Sequence, residues 1–340
     1  VSRSMQVRGT GLVTSVGLGT AAAAAAIRAG LSNPGITRFI DWGGEWIPAH
    51  MVPMETPNVR AKLLQMAAAA IGECIESAGR EPATEAALIL CLPEASRPGT
   101  EIDLGESAIQ EVADALGARF SVHSAAIAAG RVGGFVALHR ARILLHEGRV
   151  DAVLVAGVDS YVNWPALSHF ENCHRLLTSR NSNGFMPGEA AAAVMVIRPE
   201  AGTALRCEGL GFGRESATIA ADMPLRADGL VQAIRAAARE AECSPQDFEL
   251  RMSALSGEQY YFKEAALAMS RLIREPVSDA EFWHPADCVG EVGAAAGPLA
   301  IAIAAEACAK GYAEATRILC HLSGDDTERA AAFFSFGELQ

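Results

Sequence analysis

The stretch Ser121–Ser160, SVHSAAIAAGRVGGFVALHRARILLHEGRVDAVLVAGVDS, limits the possible folds more than any other part of the chain. Ser121–Ser124 reads as short and extended, and Gly130, Gly133 and Gly134 then let backbone approach closely. Phe135, Leu138, Ile143 and Leu144 recur at helical spacing, and Gly148 stops that helix. Asp151–Gly157 is a short apolar run bounded by glycine, the pattern of a strand buried on both faces. Strand, tight turn, long helix and buried strand in succession belong to a sheet covered by helices.

The flanking sequence continues this alternation. Gln6–Val16 reads as strand and turn, and the alanine-rich run after it as a helix stopped by Gly30. Thr37–Pro57, with Trp42, Trp46 and several prolines, reads as irregular. A helix is expected over Arg60–Gly79, a strand over Ala87–Leu92 and a helix over Leu104–Leu116. In the second half Ala190–Ile197 and Ala204–Gly213 read as strands and Arg226–Glu242 as a helix. Gly209-x-Gly211-x-Gly213 lacks the spacing of a dinucleotide loop and reads as a bulge within a strand. Two halves of similar order imply a duplicated α/β chain, divided into residues 5–160 and 161–340.

Composition excludes several functions. Half of the 340 residues are apolar, enough for one large core or two fused ones, and a net charge of −12 disfavours nucleic acid and anionic lipid. The eight cysteines show neither a CxxC pair nor zinc-finger spacing. They read as core thiols of a reducing, cytoplasmic protein with no metal and no cofactor. Val292–Ala305 is too short and too broken to span a bilayer, and no apolar leader precedes Met5, so no membrane role is expected. Cys173-His174 offers a thiol beside a base, yet neighbours on a helix point in different directions. His139 reads as a packed or hydrogen-bonded structural residue, and Lys263 and Glu264 as a solvent-facing helix edge.

The helix FVALHRA, its Gly-x-x-Asp turn and the strand ending in Ala-Gly resemble the nucleophile segment of the β-ketoacyl synthases. The opening VRGTGLVTSVG and the run Asn183-Gly-Phe-Met-Pro-Gly-Glu189 are similar to that family as well. The resemblance implies a thiolase-like fold, two similar halves forming a five-layer α-β-α-β-α sandwich. It also implies a cysteine about twenty residues before Asp151, where this chain has Arg131. The two family histidines fall on Ser256, in Met252–Glu258, and on Glu291, in Gly290–Gly297. The family lysine falls on Ala286, and Phe336, in Phe334-Ser-Phe-Gly337, resembles the gate phenylalanine.

Decarboxylative condensation needs a thiolate to carry the acyl chain and imidazoles to polarise the thioester carbonyl. Arginine, serine and glutamate supply none of these. The resemblance therefore implies a catalytically degenerate, non-condensing scaffold or partner subunit; the alternative is an acyltransferase or acyl-thioester hydrolase using new residues in the old pocket. The partners it implies are a second copy or a ketosynthase homologue, paired through an edge strand at Phe120–Ser124, and an acyl-carrier protein. Arg131 and Glu291, two charges at converging positions, are expected to form an ion pair.

Overall fold

The computed structural model describes residues 3–79, 85–100, 104–274 and 280–339. The first half runs β1 (Met5–Thr14), β2 (Gly17–Leu18), α1 (Thr20–Arg28), the pair β3 (Gly35–Ile40) and β4 (Trp46–Ala49), α2 (Val59–Ser77), β5 (Ala87–Leu92), α3 (Glu106–Leu116) and β6 (Ala125–Ala128). A 3-10 turn, Gly130–Val132, leads into α4 (Gly133–His146), followed by β7 (Ala152–Ser160), α5 (Trp164–Asn172) and β8 (Glu189–Ile197). The second half runs β9 (Gly202–Arg214), α6 (Asp228–Glu240), β10 (Leu250–Ser253), α7 (Gln259–Leu272), β11 (Glu281–Trp283) and α8 (Ala286–Val289). Another 3-10 turn, Gly293–Ala295, leads into α9 (Ala296–Ala309), then β12 (Arg317–Ser323) and β13 (Glu328–Leu339).

Strand order repeats along with element order. The first half pairs as β6-β5-β7-β8-β1 and the second as β11-β10-β12-β13-β9, joined where β1 meets β9 at Met5–Cys207 and Gln6–Arg206. β8 pairs with both β1 and β7, so the strands of the first sheet run on to Ile197. Each sheet is mixed: β5, β6 and β7 are parallel, whereas β8 is antiparallel to both neighbours.

Side-chain alternation explains the layers. Along β5, Ala87, Ile89 and Cys91 face the central core, while Leu88, Leu90 and Leu92 face α2 and α3. Both faces are apolar, so the strand has to be sandwiched. In the second half Ile318, Cys320 and Leu322 of β12 join the central core, whereas Leu319 joins the outer core under α6 and α7. The layers are therefore α2/α3, first sheet, α4/α9, second sheet and α6/α7. Phe135 of α4 is fully buried in the middle layer, worth about 1.5–3 kcal/mol for such a side chain.

Two glycine rows fix how closely the outer helices lie on their sheets. A Cβ on Gly11 would stand 1.9 Å from Ala70 O of α2, and one on Gly211 2.0 Å from Ala233 O of α6. The Gly209–Gly213 row thus serves helix approach, with the expected bulge just before it, where pairing with β13 jumps from Gly209 to Cys207. The cap of α2 is Asn58, whose side chain accepts from Ala61 N, and that of α5 is Asn163, accepting from Ala166 N.

Several sequence expectations shift. Phe120–Ser124 is not the edge strand: Ser121 N bonds Ala86 O and Ser124 closes a turn, so the edge strand is Ala125–Ala128. The β3–β4 pair, beginning at Gly35, gives regular structure to much of Thr37–Pro57. Glu264 is fully buried and pairs with Arg329, because α7 turns that face onto β13 and not to solvent. His139, although exposed, is hydrogen-bonded to Arg142 and set edge-on to Phe212, in keeping with a structural role.

Candidate functional site

Five loops converge where the two sheets' strands end. A cavity of about 570 Å³ is lined by Glu94–Arg97 after β5, Ala128–Val132 around the first 3-10 turn, His169, Phe170 and Arg175 at the end of α5, and Gly324–Asp326 with Glu328 between β12 and β13. Ile219 and Ala220, after β9, complete it. The turn at Gly130 needs φ near +51°, which glycine adopts without strain.

Arg131 is 5% exposed, and its guanidinium meets three carboxylates. Nη1 donates to Asp325 Oδ1 at 2.9 Å. Nε stands 3.0 Å from Glu291 Oε2, and Nη2 3.9 Å from Glu258 Oε2. Neither Nε nor Nη2 is aligned for a hydrogen bond, so these two contacts act as charge pairing alone. Ser256 Oγ donates to Glu291 Oε2 at 2.6 Å. The three positions singled out from sequence therefore touch in a chain, Arg131 to Glu291 to Ser256, and the expected ion pair is present.

Residues not singled out complete the cluster. Arg175 forks onto Glu258 at 2.6 and 2.9 Å and onto Asp325 at 2.6 and 2.9 Å. Tyr261 OH donates to Asp325 Oδ1 at 2.6 Å, and the Arg131 guanidinium lies 4.9 Å over the Tyr261 ring. Arg97 binds Asp159, stacks 3.9 Å over Tyr161 and reaches Glu94 at 3.9 Å. Bidentate arginine geometry is what makes such a cluster tolerable away from water.

Burial and charge oppose each other throughout. Burial pushes Asp325 up, but Arg131 and Arg175 hold it well below the usual carboxylate range. Burial opposes the charge on Arg131, and Glu291 and Asp325 more than offset it, so the guanidinium stays protonated. Glu258 and Glu94 are raised by burial, against the pull of Arg175 and Arg97 respectively.

The remaining sequence candidates lie elsewhere. Ala286 opens α8 beside a separate crevice that it shares with Ser253 and the far side of Glu291. Phe336 sits within β13, opposite Leu205, where it packs against the central core. The segment that reaches Arg131 is the Gly324–Thr327 turn at the other end of that strand, so Phe336 lines no part of the cavity. Cys173 contacts His169 Nε2 at 3.9 Å, and not His174. Among the described residues no cluster suits a metal ion, and no helix is long and apolar enough to cross a membrane.

Residues 99–201 match the family model of the beta-ketoacyl synthase, N-terminal domain. A structure described as a type II PKS acyl-carrier protein in complex with its ketosynthase bound to the hexaketide superposes with TM-score 0.79 at 16% identity, covering 98% of this chain and 100% of that one. The chain has the thiolase-like fold of the β-ketoacyl synthases. The ishigamide ketosynthase/chain length factor matches this ketosynthase-like chain with TM-score 0.74 at 19% identity over 98% of it and 99% of the other. A ketosynthase from module 6 of the bacillaene synthase of Bacillus subtilis 168 matches with TM-score 0.78 at 13% identity, covering 99% of this chain and 72% of that one. No curated protein matches the sequence.

Proposed function

We propose that this ketosynthase-like chain is a non-condensing subunit, a scaffold or partner of a ketosynthase homologue. The observation that carries the reading is Arg131, a paired and buried cation at the head of α4 where condensation would need a nucleophile. Cys91, the thiol packed against Gly133 beneath that position, is fully buried and pushed up to about 12 by burial, so it supplies no thiolate. Glu291 would place a carboxylate against the charge that develops during decarboxylation. A cytoplasmic setting agrees with eight free cysteines, six of them buried.

Partnership draws on two supports. Matched structures include a ketosynthase/chain length factor, and among the described residues β6 pairs only with β5, leaving its outer edge open. An open edge of this kind invites a second copy or a homologue. Sedimentation is expected to show a dimer, or a heterodimer once a ketosynthase homologue is supplied; a monomer under both conditions removes this part. The acyl-carrier protein is the expected donor-side partner, by analogy with the carrier complex among the matches.

Mass spectrometry of the protein after incubation with acyl-CoA and acyl-carrier donors tests the reading. No covalent adduct and no ketoacyl product are expected, and Arg131→Cys should not restore condensation, since Ser256 and Glu291 still lack imidazoles. The acyltransferase or hydrolase alternative is favoured by one contact, the exposed Cys173 thiol beside His169 at the cavity rim. An acyl adduct on Cys173 would decide for it.

A further inference from the structure

We propose that the groove between β3 and the head of α2 is a binding site for a small amphiphile with a carboxylate head and an alkyl tail. The groove encloses about 460 Å³ and shares no lining residue with the cavity beside Arg131. Its shape comes from an irregular strand. Pairing of β3 with β4 shifts between Ile36 and Ile40, and Phe39 N donates to Thr37 Oγ1 at 3.1 Å. Consecutive residues, Ile36 to Phe39, therefore border the groove where a regular strand would offer alternate ones. Phe39, Met51, Met54, Val59 and Val162 give it an apolar lining, and methionine adapts to tails of different shape.

Cations on the groove wall select the head. Arg38 is exposed, lies 5.4 Å over the Phe39 ring and makes no ion pair among the described residues. Lys62, from the first turn of α2, keeps 18% of its side chain exposed and is anchored by the buried Glu189. Glu189 has no capacity left for a ligand: it also accepts from Val52 N at 2.8 Å and from Ser160 Oγ at 3.0 Å. The ammonium and the guanidinium carry more N–H donors than this single carboxylate fills, and a ligand carboxylate, which only accepts, complements them. An ammonium head would bring donors to donors, and a hydroxyl would make a weaker bond without charge. Glu55 is the other carboxylate on the wall; it is exposed and opposes the anion.

Octanoate, 1-octanol and octylammonium, equal in length and different in head, test the proposal by saturation-transfer NMR and calorimetry on the intact chain. Octanoate is expected to bind at least about fivefold more tightly than either of the others. Because Arg38 is exposed and unpaired among the described residues, Arg38→Ala should fold as the wild type does, weaken octanoate about fivefold and leave octanol unchanged. Glu55→Lys, which reverses the opposing charge, should tighten octanoate about threefold. Ala220→Trp, which narrows the cavity beside Arg131, should leave all of these affinities unchanged. No octanoate binding at millimolar concentration, equal or tighter binding of octanol or octylammonium, octanoate affinity unchanged in Arg38→Ala or Glu55→Lys, or its loss in Ala220→Trp would each overturn the proposal. The groove site does not rest on the non-condensing reading: an acyl adduct elsewhere leaves it standing, and failed octanoate binding leaves that reading as it was.

Discussion

The two halves follow one course and bring opposite charge to the seam between them. Arg97, Arg131 and Arg175 come from the first half; Glu258, Glu291 and Asp325, which meet the last two of these arginines, come from the second. Each half also has a glycine near φ +50° opening a 3-10 turn, Gly130 at 51° and Gly293 at 49°. After Gly293 comes Ala294, whose N–H donates to Asp159 Oδ2 at 2.9 Å and whose side chain is fully buried. After Gly130 comes Arg131. One backbone device thus carries an apolar plug in one half and a charged hub in the other, and the side chain at a repeated position is where the halves diverge in chemistry.

Breaking the hub should have the largest effect. Arg131→Ala strips Asp325 and Glu291 of a buried cation and is expected to cost about 3–5 kcal/mol in urea unfolding. Glu291→Ala should cost less, because Arg131 keeps Asp325. The double mutant should show coupling of about 0.5–3 kcal/mol, and strict additivity would remove the ion pair from the account.

The paired glycines sharpen the comparison at smaller scale. Gly130→Ala and Gly293→Ala each force a left-handed alanine, about 1–2 kcal/mol. The second should cost clearly more. A Cβ at Gly293 would lie 2.0 Å from Asp159 Oδ2, in a carboxylate held by Arg97, Ser160 N and Ala294 N. At Gly130 the nearest atoms belong to the Glu94 side chain, closest at its carboxylate, and that side chain borders the cavity. Equal costs in paired thermal melts would mean that Asp159 is less firmly held than its bonds indicate.

A third comparison concerns pH, and it has no effect above the ordinary histidine range. Burial lowers His50 in the first half, and in the second it lowers His321 from 6.5 to about 3, with Arg251 adding to the shift. For a group whose folded pKa is depressed in this way, the unfolded chain takes the proton first. Stability is therefore lost as pH falls below 6.5 and levels off near 3, by at most about 1.4 kcal/mol per pH unit. His321→Leu should flatten the acid side of the stability curve relative to wild type, and His50→Leu should flatten it less. The reverse order in chemical denaturation between pH 6.5 and 3 would contradict the burial of His321.

Much of the fold was legible because apolar period and glycine placement act locally. The α4 segment and β7 stand close to where their spacing put them, and the repeated element order was visible without identity between halves. The edge strand was misplaced by a few residues because Ala125–Ala128 lacks β-branched character apart from Ile127, while Ser121–Ser124 looks equally extended. The site was legible only in part. Arg131, Ser256 and Glu291 stood out because the family resemblance places a cysteine and two histidines there, but Arg97, Arg175, Glu258 and Asp325 come from loops far apart in sequence. In a linear chain they look like ordinary solvated charge. Glu264 misled for the same reason, since nothing local announces that Arg329 waits on β13.

The contact between α4 and α9 also sets how the molecule can yield. A Cβ on Gly134 would lie 2.7 Å from Pro298 Cδ and 3.1 Å from Gly297 Cα, so the two central helices meet almost backbone to backbone. Such a contact has no side chain to compress and no slack to take up. The floor of the cavity, set by the turns at the heads of these helices, is therefore stiff, and the part left to give is the Gly324–Thr327 turn, tethered by Asp325 to two arginines and a tyrosine. A bulkier guest has to be admitted by letting go of that tether, at the mouth and not at the base.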